Sequence, residues 1–218
     1  MKIDKNSYGT IASVCALVMA VIFLLLYFIP LHWLSITISA VLFVFMFFVV
    51  CFHRVPVRKK IGGEKVITSV ADGKVVILEK AYEGEYLKKE CIQVSIYMDF
   101  FDVHANFWPM TGEVSYYQYH PGKYLLAFKP KASEENEHSS TAIRNKYGEV
   151  FFKQIAGTFA RRIVCYSKVG AHEVAGEQMG IIKFGSRIDM FFPLDADIKV
   201  KKGDYTRACE TVIAELKG

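Results

Sequence analysis

The first 52 residues of this 218-residue chain almost lack charge: they hold only Lys2, Asp4 and Lys5, leaving 46 of the 49 Lys, Arg, Asp and Glu side chains to the other 166 residues. The five cysteines, Cys15, Cys51, Cys91, Cys165 and Cys209, are scattered, odd in number and without a CxxC pair. That argues against a disulfide scaffold or zinc ribbon and fits a reducing compartment. The six histidines show no HExxH or HxH spacing, so no metal site is expected. A GxSxG elbow is missing too, so an ordinary serine hydrolase is not indicated.

Where charge is missing, apolar runs stand. Residues 11–29 and 34–52 are each uncharged. As helices they would be about 28 Å long, close to the roughly 30 Å hydrocarbon thickness of a bilayer. Only Pro30-Leu31-His32-Trp33 separates them, which suits a tight interfacial turn. A signal peptide would have a shorter apolar core and no second run behind it. A soluble hairpin that is apolar on every face would need protein all round it, which 166 residues could hardly provide. The expectation is a membrane anchor over residues 1–56 with two transmembrane helices, and a cytoplasmic domain over 57–218.

Lys2 and Lys5 precede the first run, and Arg54, Arg58, Lys59 and Lys60 follow the second, while the loop between carries no cation. By the positive-inside tendency both termini and the large domain face the cytoplasm at the inner cell membrane. Residues 61–218 hold 21 Lys and Arg against 21 Asp and Glu, so the formal +5 is wholly juxtamembrane. A nucleic-acid binder would carry basic surface on its folded domain, so nucleic acid is not an expected partner. The flanking cations would face anionic headgroups, or serve only as topology determinants.

The domain reads as mostly strands: 66–68, 74–78, 91–98, 112–119, 150–155, 162–166, 179–184 and 189–192 are rich in β-branched and aromatic residues, with Gly-, Pro- and Asp-containing turns between them. Helical periodicity is confined to the hairpin and the tail 205–216. The expected fold is mainly β, a sandwich or barrel hybrid of lipoyl-like or duplicated-hybrid character, behind a two-helix transmembrane hairpin.

Three segments carry more than architecture. Asp72 stands at a Gly turn in Val70-Ala71-Asp72-Gly73-Lys74-Val75, a pattern that by itself is usually structural. His104, in Asp102-Val103-His104-Ala105-Asn106-Phe107-Trp108-Pro109, is framed by an acid and an amide and titrates near neutrality, so it is a candidate general acid or base; a hydrogen-bonded core histidine is the common alternative. Phe100, Phe101, Phe107 and Trp108 would form core or an acyl-chain contact. Gly185-Ser186 lies between two strand-like runs, where Gly permits a backbone that brings a serine oxygen against the preceding carbonyl.

Taken together and in order, these segments resemble the phosphatidylserine decarboxylase family, in its short, membrane-anchored, archaeal-type form. Further similarity lies in Phe52-His53-Arg54-Val55-Pro56, Lys131-Ala132-Ser133-Glu134-Glu135-Asn136-Glu137, Gln154-Ile155-Ala156-Gly157, Ala160-Arg161-Arg162-Ile163-Val164-Cys165 and Phe184-Gly185-Ser186-Arg187. The resemblance implies a pyruvoyl-dependent carboxy-lyase that converts phosphatidylserine to phosphatidylethanolamine. Ser186 would attack the Gly185 carbonyl, and elimination and hydrolysis would leave a covalently attached pyruvoyl group at position 186. The products, residues 1–185 and 186–218, would stay associated. The pyruvoyl carbonyl would bind the substrate amine as a Schiff base, the role of pyridoxal phosphate elsewhere, so neither pyridoxal phosphate nor metal is implied.

By the same resemblance His104 is the proton donor or base and Asp72 the carboxylate of self-processing. Two departures stand out: Phe107 occupies the place of a second histidine in longer relatives, and Val70 that of a usual proline. Alternatives are decarboxylation of another serine phospholipid such as archaetidylserine, a membrane-anchored binding module of hybrid fold, for which residues 167–177 lack a modifiable lysine at the turn, and a non-catalytic structural membrane protein with Gly185-Ser186 intact. Oligomeric state stays open, a homo-oligomer included.

Overall fold

Charge-free sequence becomes helix in the computed structural model, which describes residues 2–125, 135–157, 162–183 and 186–217. The chain divides into two compact units, Met1–Pro56 and Val57–Gly218. In the first, β1 (Lys2–Ile3) leads into α1 (Tyr8–Phe28), α2 (His32–Phe52) and β2 (Arg54–Val55). Both helices are long and apolar enough to cross a membrane. They start earlier than residues 11 and 34, because helical hydrogen bonding is indifferent to polarity: the Ile11 N–H already bonds the Ser7 carbonyl at 2.9 Å. Ile29 is extended, as the residue before a proline prefers, and this ends α1.

Leu17, Phe23, Tyr27, Phe43, Val44 and Phe47 are exposed, so these helices present apolar side chains outward rather than into a protein core. Two hydroxyls bond within α2, Thr37 Oγ1 to the Trp33 carbonyl at 2.7 Å and Ser35 Oγ to the His32 carbonyl at 3.0 Å. β1 pairs antiparallel with β2, and Asp4 accepts from Ser7 Oγ at 3.0 Å, closing the open end of the hairpin.

The second unit is built from β3 (Val66–Thr68), β4 (Gly73–Glu83), β5 (Lys89–Met98), β6 (Ala105–Phe107), β7 (Gly112–His120), β8 (His138–Asn145), β9 (Gly148–Ala156), β10 (Arg162–Cys165), β11 (His172–Glu173), β12 (Gln178–Lys183), β13 (Ser186–Phe192), β14 (Asp197–Ile198), β15 (Tyr205–Thr206) and β16 (Val212–Glu215). An eight-stranded sheet runs β11-β7-β8-β9-β13-β5-β4-β15, beside three-stranded sheets β10-β12-β6 and β14-β16-β3. The protein is mainly β with two N-terminal apolar helices.

Antiparallel register decides which residues share a face. Ser186, Ile188, Met190 and Phe192 of β13 lie in rows with Met98, Ile96, Val94 and Ile92 of β5 and, for the first three, Ala156, Gln154 and Phe152 of β9. This face packs with Ile67, Ile163, Met179, Ile182 and Ile213 of the small sheets into one apolar core. The tail is not helical: Cys209 takes a positive φ of 67°, which interrupts any helix, and β16 pairs with β3 instead. Ile213, Ala214 and Leu216 of the tail pack into that core.

Candidate active site

Ser186 opens β13 in the middle of the large sheet, hydrogen-bonded between β5 and β9, and is fully buried. Its register partners are Met98 and Ala156, and its Oγ lies 3.8 Å from Met98 Sδ. Ala156 is held in turn by residues before β8: its N–H donates to the Glu137 carbonyl at 2.9 Å, and Asn136 Nδ2 donates to its carbonyl at 2.7 Å. Phe184 and Gly185 lie outside the described residues, as do 126–134 and 158–161.

β12 holds the backbone at His104. Its pairing with β6 sets Ile181 opposite Ala105 and Gly180 opposite Asn106, and the Ile182 N–H donates to the His104 carbonyl at 3.2 Å. β12 ends at Lys183 and β13 begins at Ser186, so Ser186 follows Ile182, the backbone partner of His104, by four residues in the chain. His104 is fully buried, with Nδ1 3.1 Å from the Asp102 carbonyl oxygen. A carbonyl only accepts, so Nδ1 carries the proton in this contact and Nε2 is the basic nitrogen.

Three polar residues that sequence reasoning missed complete the surroundings. Asn106 Nδ2 lies 3.9 Å from the same Met98 sulfur, Gln154 Nε2 donates to Asn106 Oδ1 at 2.7 Å, and Ser139 Oγ donates to Gln154 Oε1 at 2.7 Å. All three are fully buried. Gly180 makes room for them: a Cβ there would run into the Val164 carbonyl and stand 3.1 Å from Gln154 Nε2.

Asp72 is held by a guanidinium and a backbone N–H. Its carboxylate forms a bidentate pair with the Arg58 guanidinium and accepts from the Ala208 N–H at 2.8 Å. The hydrogen bond from Arg58 to Asp72 raises the Arg58 pKa against the opposing effect of burial. Arg58 is therefore withdrawn from the set of cations available to headgroups, its side chain only 7% exposed. Gly73 has a φ of 146°, and a Cβ there would meet the Tyr97 carbonyl, so glycine is required at the turn. Removing one partner of such a buried pair typically costs about 3–5 kcal/mol. Asp72→Ala is accordingly expected to lower the thermal midpoint sharply, and Arg58→Met to recover part of that loss in the double variant; an unchanged midpoint in Asp72→Ala contradicts this structural role.

Of the four aromatic residues, Phe107 and Trp108 belong to the interior, Trp108 meeting Phe152 edge-on at 6.2 Å, whereas Phe101 is 78% exposed. The opposite face of β13 carries a buried ion pair, Arg187 to Asp189, with contacts of 2.8 and 2.9 Å. Farther along that face, Glu85, His120 and His138 bring their ligand atoms within 4.8 Å of one another. The two imidazoles stack at 4.4 Å and 19°, so their in-plane lone pairs do not converge on one ion in this arrangement. Burial alone would raise the Glu85 carboxyl; hydrogen bonds from Lys153, His120 and Ser140, with the Lys153 charge, outweigh it and bring the pKa to about 2. This is the electrostatics of a satisfied ionic network.

Comparison with known proteins follows the same lines. The family model for phosphatidylserine decarboxylase matches residues 45–214. A phosphatidylserine decarboxylase proenzyme of Cytophaga hutchinsonii is 41% identical over 218 residues, covering 99% of both chains. One from Amoebophilus asiaticus is 48% identical over 166 residues, 76% of this chain and 74% of its own, and one from Porphyromonas gingivalis is 36% identical over 99% of both. A buried serine at a strand-opening Gly-Ser junction, in a domain of this extent, thus falls within the carboxy-lyases. The chain belongs to the phosphatidylserine decarboxylase family.

Proposed function

We propose that this protein is a proenzyme that splits itself between Gly185 and Ser186 and then removes the carboxyl group of phosphatidylserine at a membrane, giving phosphatidylethanolamine. The observation that carries the reading is the place of Ser186: a fully buried serine opening a central strand, in a chain of this family. Decarboxylation of an amino acid leaves an electron pair at Cα that no ordinary side chain can delocalise. A pyruvoyl carbonyl made from residue 186 would supply that electron sink. The surroundings fit a small ketone: Met98 and Ala156 flank the position, and an amide N–H from Asn106 is aimed at the same sulfur that Ser186 touches.

In self-cleavage, Ser186 Oγ adds to the Gly185 carbonyl, the amide C–N bond breaks and an ester forms. Loss of the Ser186 α-proton expels Gly185 as a carboxylate, and water then releases ammonia from the remaining enamine. In decarboxylation, His104 Nε2 would first take a proton from the substrate ammonium as that group becomes the free amine, and would return it to Cα once the carboxyl group has left. Asp72 acts through the fold, holding the segment whose Val70 carbonyl accepts from the Phe107 N–H at 3.0 Å. After cleavage the 186–218 fragment stays with the rest, since β13 is paired on both edges and β16 is paired with β3.

Residues 1–56 form the anchor and 57–218 the catalytic domain, with both termini cytoplasmic; Lys2, Lys5, Arg54, Lys59 and Lys60 support that orientation. The test supplies the full-length protein with vesicles containing carboxyl-labelled phosphatidylserine, and separately with the archaetidylserine analogue. Labelled CO2 and an ethanolamine lipid are expected from the first; no release above a protein-free control overturns the reading, and release from the analogue alone transfers it to that lipid.

A further inference from the structure

In an antiparallel sheet the N–H and C=O of one residue turn to the same neighbouring strand, and those of the next residue to the opposite one. Two observations fix that sense at Ser186. The Ala156 N–H donates to the Glu137 carbonyl at 2.9 Å, so the peptide groups of Ala156 face the β8 side and turn away from Ser186. On the other flank the Tyr97 carbonyl lies against Gly73, where a Cβ would strike it, so Tyr97 faces β4 and its successor Met98 faces β13. The pairs of β13 with β5 run in unbroken register from Ser186 to Phe192. Ser186 and Met98, which stand opposite each other, therefore exchange both backbone bonds, each N–H donating to the other's carbonyl. Their side chains meet as well, Ser186 Oγ lying 3.8 Å from Met98 Sδ.

Scission between Gly185 and Ser186 changes one half of this exchange. The Ser186 nitrogen leaves as ammonia, and oxygen from water takes over its bond to carbon. The Met98 carbonyl thus loses the N–H it accepted, and the oxygen that replaces the nitrogen has no proton to give. The other half persists, Met98 N–H to the carbonyl of residue 186, and keeps the two residues opposed. Met98 is fully buried, where peptide carbonyls are almost always matched to a donor. We propose that the Met98 main-chain carbonyl binds the primary amine of the substrate, taking from it the N–H that Ser186 gave before cleavage. The proposal rests on the reading of Gly185-Ser186 as the bond that splits. An ammonium that passes one proton to His104 keeps two N–H bonds, and one of these holds the nitrogen at Met98, directly opposite residue 186. A quaternary ammonium has no N–H and gains nothing from this acceptor.

Met98-Asp99 is the one Met-Asp step in the chain, so methionine labelled at its carbonyl carbon, together with aspartate labelled at nitrogen, marks this carbonyl alone. Its magnetic resonance is read on the full chain in bilayer discs, at mildly acidic pH, where the amine nitrogen carries a proton whether free or joined to residue 186. Uncut Ser186→Ala keeps the N–H of residue 186 and gives the bonded value. In the split wild type in phosphatidylcholine discs the resonance is expected to move upfield, as a carbonyl that loses a donor does. Adding phosphatidylethanolamine, which carries the same primary amine as the substrate and has no carboxyl group to lose, is expected to return it toward the uncut value. Should Ser186→Ala not fold, the response of the split wild type to phosphatidylethanolamine decides. The same resonance in uncut and split protein, or no return with phosphatidylethanolamine, overturns the role of Met98 while leaving the cleavage site standing. A wild-type chain that never splits on denaturing gels overturns the cleavage reading itself, and the proposal with it.

Discussion

Ser186→Ala protein is expected to remain one chain of 24.8 kDa and to release no CO2 from phosphatidylserine, while the wild type separates into pieces of about 21 and roughly 4 kDa, in proportion to chain length. The loss should be complete because only the Ser186 hydroxyl can form the ester whose elimination converts residue 186 into the carbonyl-bearing group, so neither cleavage nor decarboxylation can begin without it. It should not arise from unfolding. The oxygen's hydrogen bond runs to a thioether, so its removal costs about 1 kcal/mol or less, and the Cβ that packs between Met98 and Ala156 is kept. A melting curve close to wild type, together with an uncut band, is the expected pair of observations. Splitting of the Ser186→Ala chain would remove Ser186 from both roles.

His104→Ala is expected to lower kcat for decarboxylation by about 10²- to 10⁴-fold, the usual contribution of a positioned general acid or base. Proton delivery to Cα is a step that water performs poorly in a site as closed as this one, where His104 is fully buried. The backbone bond between His104 and Ile182 does not depend on the side chain, so β6 and β12 should stay in register. Cleavage and decarboxylation are read separately, the first on gels and the second as CO2, so a variant that still splits isolates the second step. Decarboxylation above a tenth of the wild-type rate in a fully split His104→Ala protein would refute His104 as the proton donor.

Most strands were legible because β-branched and aromatic residues alternate in them, and β5, β7 and β9 fall within a few residues of their expected limits. β8 was not. Its inward positions include Ser139 and Thr141, so the apolar alternation that signals a strand is broken where the polar chain toward Asn106 needs a hydroxyl. The tail was misread for the opposite reason, since apolar residues spaced as in a helix also suit two short strands separated by a turn through Cys209. Gln154 stood in a stretch that resembles the family, yet nothing local indicates that its amide meets Asn106, 48 residues away.

By itself the sequence determined what depends on neighbours along the chain: two apolar helices, the turn residues, the Gly-Ser pair and the family. Tertiary structure alone decided what depends on register. It set Ser186 between Met98 and Ala156, joined Asn106 to Gln154 and Ser139, and committed Asp72 to Arg58. The reason is physical: apolarity and backbone preference are local properties, whereas a buried hydrogen bond exists only when the sheet has aligned residues that are distant in the chain.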